Sequence, residues 1–518
     1  MAQKVYIQPG VWIVLIALVL VGAFFGIKAL QKNGVLGKVT EAVAPASGTS
    51  SSLKVAKVDG KRPLVVAVNT WVGFAPGVYF NGGLNASAES RFTKEYGVPV
   101  QIVIMDNFDD SRNAWKAGKV DVICNTADVL STEIPNLTQY KPKVFIQIDW
   151  SRGGDAIVVR PGINNVADLK GKSVALAIGT PSQTLIISAI ESGEITYEDL
   201  QIKKMATAID AASAFKAGQV DAAIVWAPDD EDCVAAIPGA KKLITTKLAR
   251  FAIADIFYAK EDFIQSHQKE ISAFTAGWLK ASAELNSTPS ARIEAQKAMS
   301  KYFNVPEAVM NLDNARFCTY GDNDNFFNLS PTQCKCVKGE DLYTKMAQAF
   351  YKIGLAPQNV PAWRNITDIS ILQGLKEQFT GINDDAELGT TFTKPTEEMK
   401  SVPAIATKRI TINFATGSYT LTDDSKYIID RDFSTIAKRF AGYRVRVEGN
   451  TDNVGGHAMN KSLSMKRARS VAEFLANTYN FDPNRFVYVG NGPDSPVASN
   501  DTDAGRAMNR RTDFELIQ

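Results

Sequence analysis

The segment Ala114-Trp115-Lys116-Ala117-Gly118-Lys119-Val120-Asp121 returns one hundred positions later as Ala214-Phe215-Lys216-Ala217-Gly218-Gln219-Val220-Asp221. Each copy reads as the end of a helix, a glycine suited to a left-handed cap, and a short strand. Around the two copies, strand patterns at 64–68, 100–105, 120–124, 144–148, 156–159 and 173–178 alternate with helical ones. Such alternation implies an α/β domain with a mainly parallel sheet, and the repeat implies two similar lobes. Ligands of open α/β sheets bind beyond the carboxyl ends of strands. The residues after the repeated strands, Asn125-Thr126 and Trp226-Ala227-Pro228, are therefore expected near a shared cleft.

The chain has 518 residues, 45% of them hydrophobic, enough for two or three domains with real cores. A net charge of +2 excludes nucleic-acid binding driven by a strongly basic surface. Two histidines, His267 and His457, leave little material for a His-based catalytic or metal site, so no enzyme activity, metal or cofactor is expected. Of the five cysteines, Cys318, Cys334 and Cys336 crowd together. A disulfide from Cys318 to Cys334 or Cys336 suits an oxidising compartment, with free thiols as the alternative.

Residues 11–27 are apolar throughout, and 11–30 as a helix spans roughly 30 Å, the thickness of a bilayer core. A transmembrane helix over 11–30 after a short cytoplasmic 1–10 is expected. A cleaved signal peptide fits less well: the run is long, the leading charge is weak, and no small-x-small site follows. Lys28, Lys32 and Lys38 favour placing the following residues in the cytoplasm, but large domains translocate against a weak charge bias. The span lacks Asp and Glu, so it does not read as a proton carrier. Residues 31–62 read as a flexible linker. Residues 381–408 read as a second, with a coil length of about 30 Å.

Near the C-terminus, Gly449-Asn450-Thr451-Asp452 leads towards Asn460, Leu463-Ser464 and Arg467-Ala468, followed by Gly505-Arg506 and Asn509-Arg510-Arg511. An Asp in a loop and an Arg in the following helix can clamp a zwitterion, the Arg taking a carboxylate and the Asp an ammonium. An alternating strand is expected over 410–416, a helix over 423–440, a strand over 443–448, a helix over 459–478, and a final strand over 512–517.

This pattern resembles the peptidoglycan-binding domain of the OmpA family, over 409–518. The resemblance implies an α+β sandwich that binds the diaminopimelate of the peptidoglycan stem peptide, with Asp452 and Arg467 as the clamp. Thr451, Asn460 and Arg510 would complete the site. Residues 63–380 resemble periplasmic solute-binding proteins of the nitrate/sulfonate/taurine ABC-transporter type. Trp71-Val72-Gly73, the repeated Ala-Gly-x-Val-Asp, Asp149-Trp150-Ser151, Gly153-Gly154-Asp155 and Gly179-Thr180-Pro181-Ser182 carry that resemblance. It implies two lobes that close on a small solute. Its pocket candidates are Trp71, Thr126, Asp149, Ser151, Asp155, Thr180, Ser182, Trp226 and Asp255. Thr180 and Ser182 suit either an anion at a helix N-terminus or plain capping. The three Asp residues suit an ammonium, a hydroxyl or a cation better than an anion, or are structural.

The expected whole is an α/β two-lobed binding-protein fold with an OmpA-like α+β sandwich and one transmembrane helix. It reads as an inner-membrane receptor or sensor facing the periplasm. Alternatives are a wall-tethered component of a membrane transporter, or a structural subunit associated with a stator-type complex of the MotB kind.

Overall fold

The computed structural model describes residues 55–307, 310–330, 337–379 and 390–518. The expected membrane helix over 11–30, most of the linker at 31–62, Cys334 and Cys336 lie outside the described residues. Among the described residues, no helix is long and apolar enough to cross a membrane.

The first lobe opens with β1 (Leu64–Val68), β2 (Val100–Ile104), β3 (Val122–Thr126) and β4 (Pro142–Ser151). The second lobe follows, with β5 (Asp155–Val159), β6 (Ser173–Ala177), β7 (Gln201–Met205), β8 (Ala222–Trp226) and β9 (Lys241–Thr245). The chain then returns to the first lobe as β10 (Ala254–Lys260) and β11 (Ala315–Phe317). The sheet orders are β11-β4-β10-β3-β1-β2 and β7-β6-β8-β5-β9. In each, a parallel trio (β2-β1-β3, β7-β6-β8) is joined by antiparallel strands.

The repeat has a common physical basis in the two lobes. Gly118 and Gly218 take left-handed backbone, φ +68° and +81°, where a side chain would be strained. Asp121 then accepts from Val65 N at 2.9 Å, and Asp221 accepts from Ser173 N at 2.8 Å. Each carboxylate pins the start of its lobe's central strand.

Helix bounds follow the expected pattern closely, with one break. The amphipathic stretch 261–287 forms two helices, Glu261–Ser266 and Gln268–Ser287, because His267 leaves helical backbone (φ −126°, ψ 34°) and stacks on Phe263. Cys318 is a buried thiol whose Sγ donates to Arg316 O at 3.8 Å, and its expected disulfide partners, Cys334 and Cys336, lie outside the described residues. Burial pushes that thiol well up, away from the thiolate.

The C-terminal domain comprises β12 (Ala406–Ile410), β13 (Arg444–Asn450), β14 (Phe486–Gly492) and β15 (Thr512–Ile517), ordered β12-β15-β13-β14. The helix His457–Thr478 packs against β13 and β14. The strand expected over 410–416 ends at Ile410. Residues beyond it leave the ladder, while Ile412 still buries its side chain.

This domain is docked on the second lobe. One apolar cluster runs through both, joining Leu185, Ile186 and Ala189 of the helix Pro181–Ser192 to Ile410, Phe440 and Leu516. Arg409 donates from its backbone N and Nη1 to the Glu194 carboxylate at 2.6 and 2.5 Å. Residues 390–408, read as part of a flexible linker, are instead strapped to the C-terminal sheet. Phe392 N donates to Asp482 Oδ2 at 2.7 Å. The buried guanidinium groups of Arg444 and Arg446 take their acceptors from Thr393 O and Val402 O.

Candidate functional sites

Two chain segments cross between the lobes, 152–154 and 246–253, and a polar knot ties them together. Thr246 Oγ1 accepts from Gly153 N at 2.9 Å and lies 2.8 Å from Ser151 Oγ. Ser151 Oγ donates to Asp155 Oδ2 at 2.6 Å. The lobes also touch directly, where Thr184 Oγ1 on the second donates to the buried Asp128 Oδ2 on the first at 2.6 Å.

A tight cavity, with about 30 Å³ of room for water centres, lies between the lobes. Trp71, Thr126, Asp155, Trp226 and Asp255, all expected from sequence, line it. Asn69, Phe108 and Ile253 line it too and were not expected. Asn69 follows β1 directly, which was the available signal; Phe108, the first residue of a helix, offers none. Asp149 and Ser151 sit just behind the wall. Trp71 Nε1 donates to Asp149 Oδ2 at 3.0 Å, and Ser151 holds Asp155. Two glycines fix the place of Trp71. A Cβ on Gly154 would meet its ring at 2.0 Å, and one on Gly73 would meet Asp149 Oδ2 at 1.6 Å.

The strand register puts Asp255 directly opposite Thr126 on one side and Asp149 on the other. Like charges so placed repel. Burial, partly offset by hydrogen bonds, raises the Asp149 and Asp155 carboxyls to about 7. Burial raises Asp128 to about 6. Burial and the neighbouring Asp149 push Asp255 well up.

Thr180 and Ser182 do not form a simple cap. Thr180 Oγ1 turns back to Ala177 O at 2.9 Å, and Ser182 Oγ is buried without a partner. Pro181 has no N–H and Gln183 N is bonded to Thr180 O, so Ser182 N is the amide left open in this first turn.

The second site is an open groove on the C-terminal domain, lined by Thr451, Asp452, Asn460, Arg467 and Arg510 and walled by 411–419. Arg510 Nη1 donates to Asp452 Oδ2 at 2.6 Å, while Asp452 Oδ1 accepts from Val454 N. Arg467 is held apart from Asp452. Its Nε donates to Ser418 O at 2.9 Å and its guanidinium lies 4.8 Å from the Phe414 ring centre. Asn460 Nδ2 bonds Val454 O, bracing the loop, and Thr451 N bonds Gly492 O. Burial draws the Arg467 guanidinium down from its ordinary range, with Asp452 opposing. The groove therefore offers an anionic point and a separate cationic point on one wall.

Residues 413–510 match the OmpA family, and residues 83–291 match the family described as NMT1/THI5 like. The outer membrane protein Omp38 of Acinetobacter baumannii is 42% identical over 83 residues, 15% of this chain and 23% of that protein. An aliphatic sulfonates-binding protein of Escherichia coli is 26% identical over 215 residues, 41% of this chain and 61% of that protein. The solved periplasmic aliphatic sulphonate binding protein SsuA of Escherichia coli aligns at 21% identity over 59% of this chain and 99% of its own, with a TM-score of 0.45. The chain thus spans about a quarter of Omp38 and less than two thirds of the sulfonates-binding relative. It joins an NMT1/THI5-like domain in its middle to an OmpA domain at its C-terminus.

Proposed function

We propose that this chain is a cell-envelope receptor that grips peptidoglycan through its C-terminal groove and holds a small solute between the lobes of its middle domain. The separation of Asp452 from Arg467 within one groove carries the first half. Diaminopimelate ends in a free amino acid; its ammonium would meet Asp452 and its carboxylate Arg467, with Arg510 steadying the aspartate. The enclosed cavity and the two crossing segments support the second half, since two lobes joined this way close by hinge motion. The apolar segment 11–30 would anchor the chain in the inner membrane, with the rest in the periplasm.

Sedimentation with purified sacculi tests the groove. Asp452→Ala and Arg467→Ala are each expected to weaken binding by about 2–5 kcal/mol, the cost of truncating one member of a buried charged contact. Undiminished co-sedimentation of both variants would refute the assignment.

A further inference from the structure

Acidic groups and aromatic faces dominate the cavity between the lobes, beside two buried donors that lack partners, Trp226 Nε1 and Thr126 Oγ1. Asp255 lines the cavity at 7% exposure, and its carboxyl shares a hydrogen bond with the Asp149 carboxyl behind it. Asn69 Oδ1, also on the wall, is buried and receives no donor. Asp155 contributes a third acidic group from the second lobe. No Lys or Arg lines the space. The nearest guanidinium, Arg152, donates to Arg250 O, lies over the Phe251 ring and lines a different cleft. The helix end at Pro181 presents a single open amide, at Ser182, too little to hold an anion against three carboxyl groups. The remaining walls are the aromatic faces of Trp71, Trp226 and Phe108.

Acidic groups ringed by aromatic faces suit a positively charged nitrogen. The carboxylates offset its charge, and the rings attract it over their faces. A cation would also relieve the repulsion between Asp149 and Asp255, which the strand register forces together. From the three clustered acidic groups and the donor-free Asn69 oxygen in an aromatic cavity without a basic residue, we infer that the middle domain takes a small organic ammonium ion rather than a nitrate- or sulfonate-type anion. This rests on the reading that the lobes hold a solute.

The test is isothermal titration calorimetry of the full chain with four probes: tetramethylammonium, 1,4-diaminobutane, ethanesulfonate and nitrate. At least one of the two cations is expected to bind and neither anion to do so. Asp255→Asn keeps the shape and removes the charge. It is expected to weaken cation binding at least tenfold while the unliganded chain still folds, as its melting transition reads. Trp226→Leu should weaken it too. Anion binding with indifference to both cations, or wild-type cation affinity in Asp255→Asn, overturns the charge assignment and leaves the receptor reading standing. If none of the four probes binds, and mass spectrometry of the denatured purified chain releases no small molecule in either polarity, both readings fall.

Discussion

At the residue scale, the buried carboxyl groups make stability depend on pH. Asp155 is raised by burial from 3.8 to about 7, and Asp149 likewise. A carboxyl raised in the folded chain binds its proton more tightly there than when unfolded. Its contribution is fully present below the unfolded value and is lost as pH rises through the folded one. The unliganded protein is therefore expected to melt at progressively lower temperature from about pH 4 to pH 7 on account of these groups, and Asp155→Asn should flatten that slope in calorimetric scans. The residues of the proposed wall groove could be picked out at this scale, because Thr451-Asp452, Asn460 and Arg467 lie at fixed spacing along a loop and one helix face, and they line one groove. The Asp452–Arg510 pair could not, because it closes across 58 positions of chain through the fold. Trp71 and Asp155 were legible by type, but only the close approach of Gly154 shows why Trp71 stands where it does.

At the element scale, the helix Pro181–Ser192 serves two neighbours. A single stripe does both: Thr184 holds Asp128 of the other lobe, and one and two turns further on Ser188 and Glu191 meet the C-terminal domain. Removing the Thr184 donor should favour opening of the lobes. Thr184→Val is expected to cost the closed state about 1.5–3 kcal/mol, the worth of a hydrogen bond to a charged group, and to raise the radius of gyration in small-angle scattering. The duplicated segment announced both lobes, since cap, strand and anchoring aspartate are all local features. The end of β12 at Ile410 escaped notice: alternation persists through Ile412 because burial continues after the ladder stops. The break at His267 is likewise invisible to a 3.6-residue periodicity that resumes in phase beyond it.

At the scale of the whole molecule, sequence suggested beads on flexible string, and the structure joins two of them. Arg409 and Arg439 read as ordinary surface charges, so nothing in the sequence revealed the shared apolar core they flank. Arg439 is 2% exposed and reaches Ser188 Oγ at 3.1 Å and Glu191 Oε2 at 2.9 Å. The second lobe and the C-terminal domain are expected to unfold together in one transition. Arg439→Glu, which sets two acids against each other at that joint, should split it into two in differential scanning calorimetry. The expected loss is about 2 kcal/mol or more.

The seat of the C-terminal domain has a mechanical consequence. Gly442 N donates to Leu248 O at 2.9 Å and Phe251 N donates to Arg439 O, both on the longer of the two segments crossing between lobes. Arg439 Nη2 also touches Met346 Sδ, on the helix Gly339–Lys352 that covers the first lobe. On the proposed function, the domain that grips the wall therefore sits on the pivot between the lobes. The second lobe becomes the fixed bracket and the first the swinging arm, so filling the cavity and loading the wall bear on the same axle. Each is expected to alter the affinity of the other, by the same factor in either direction. Titrating a cavity ligand with and without saturating wall fragments measures that factor, and a value of one would mean the axle turns without load.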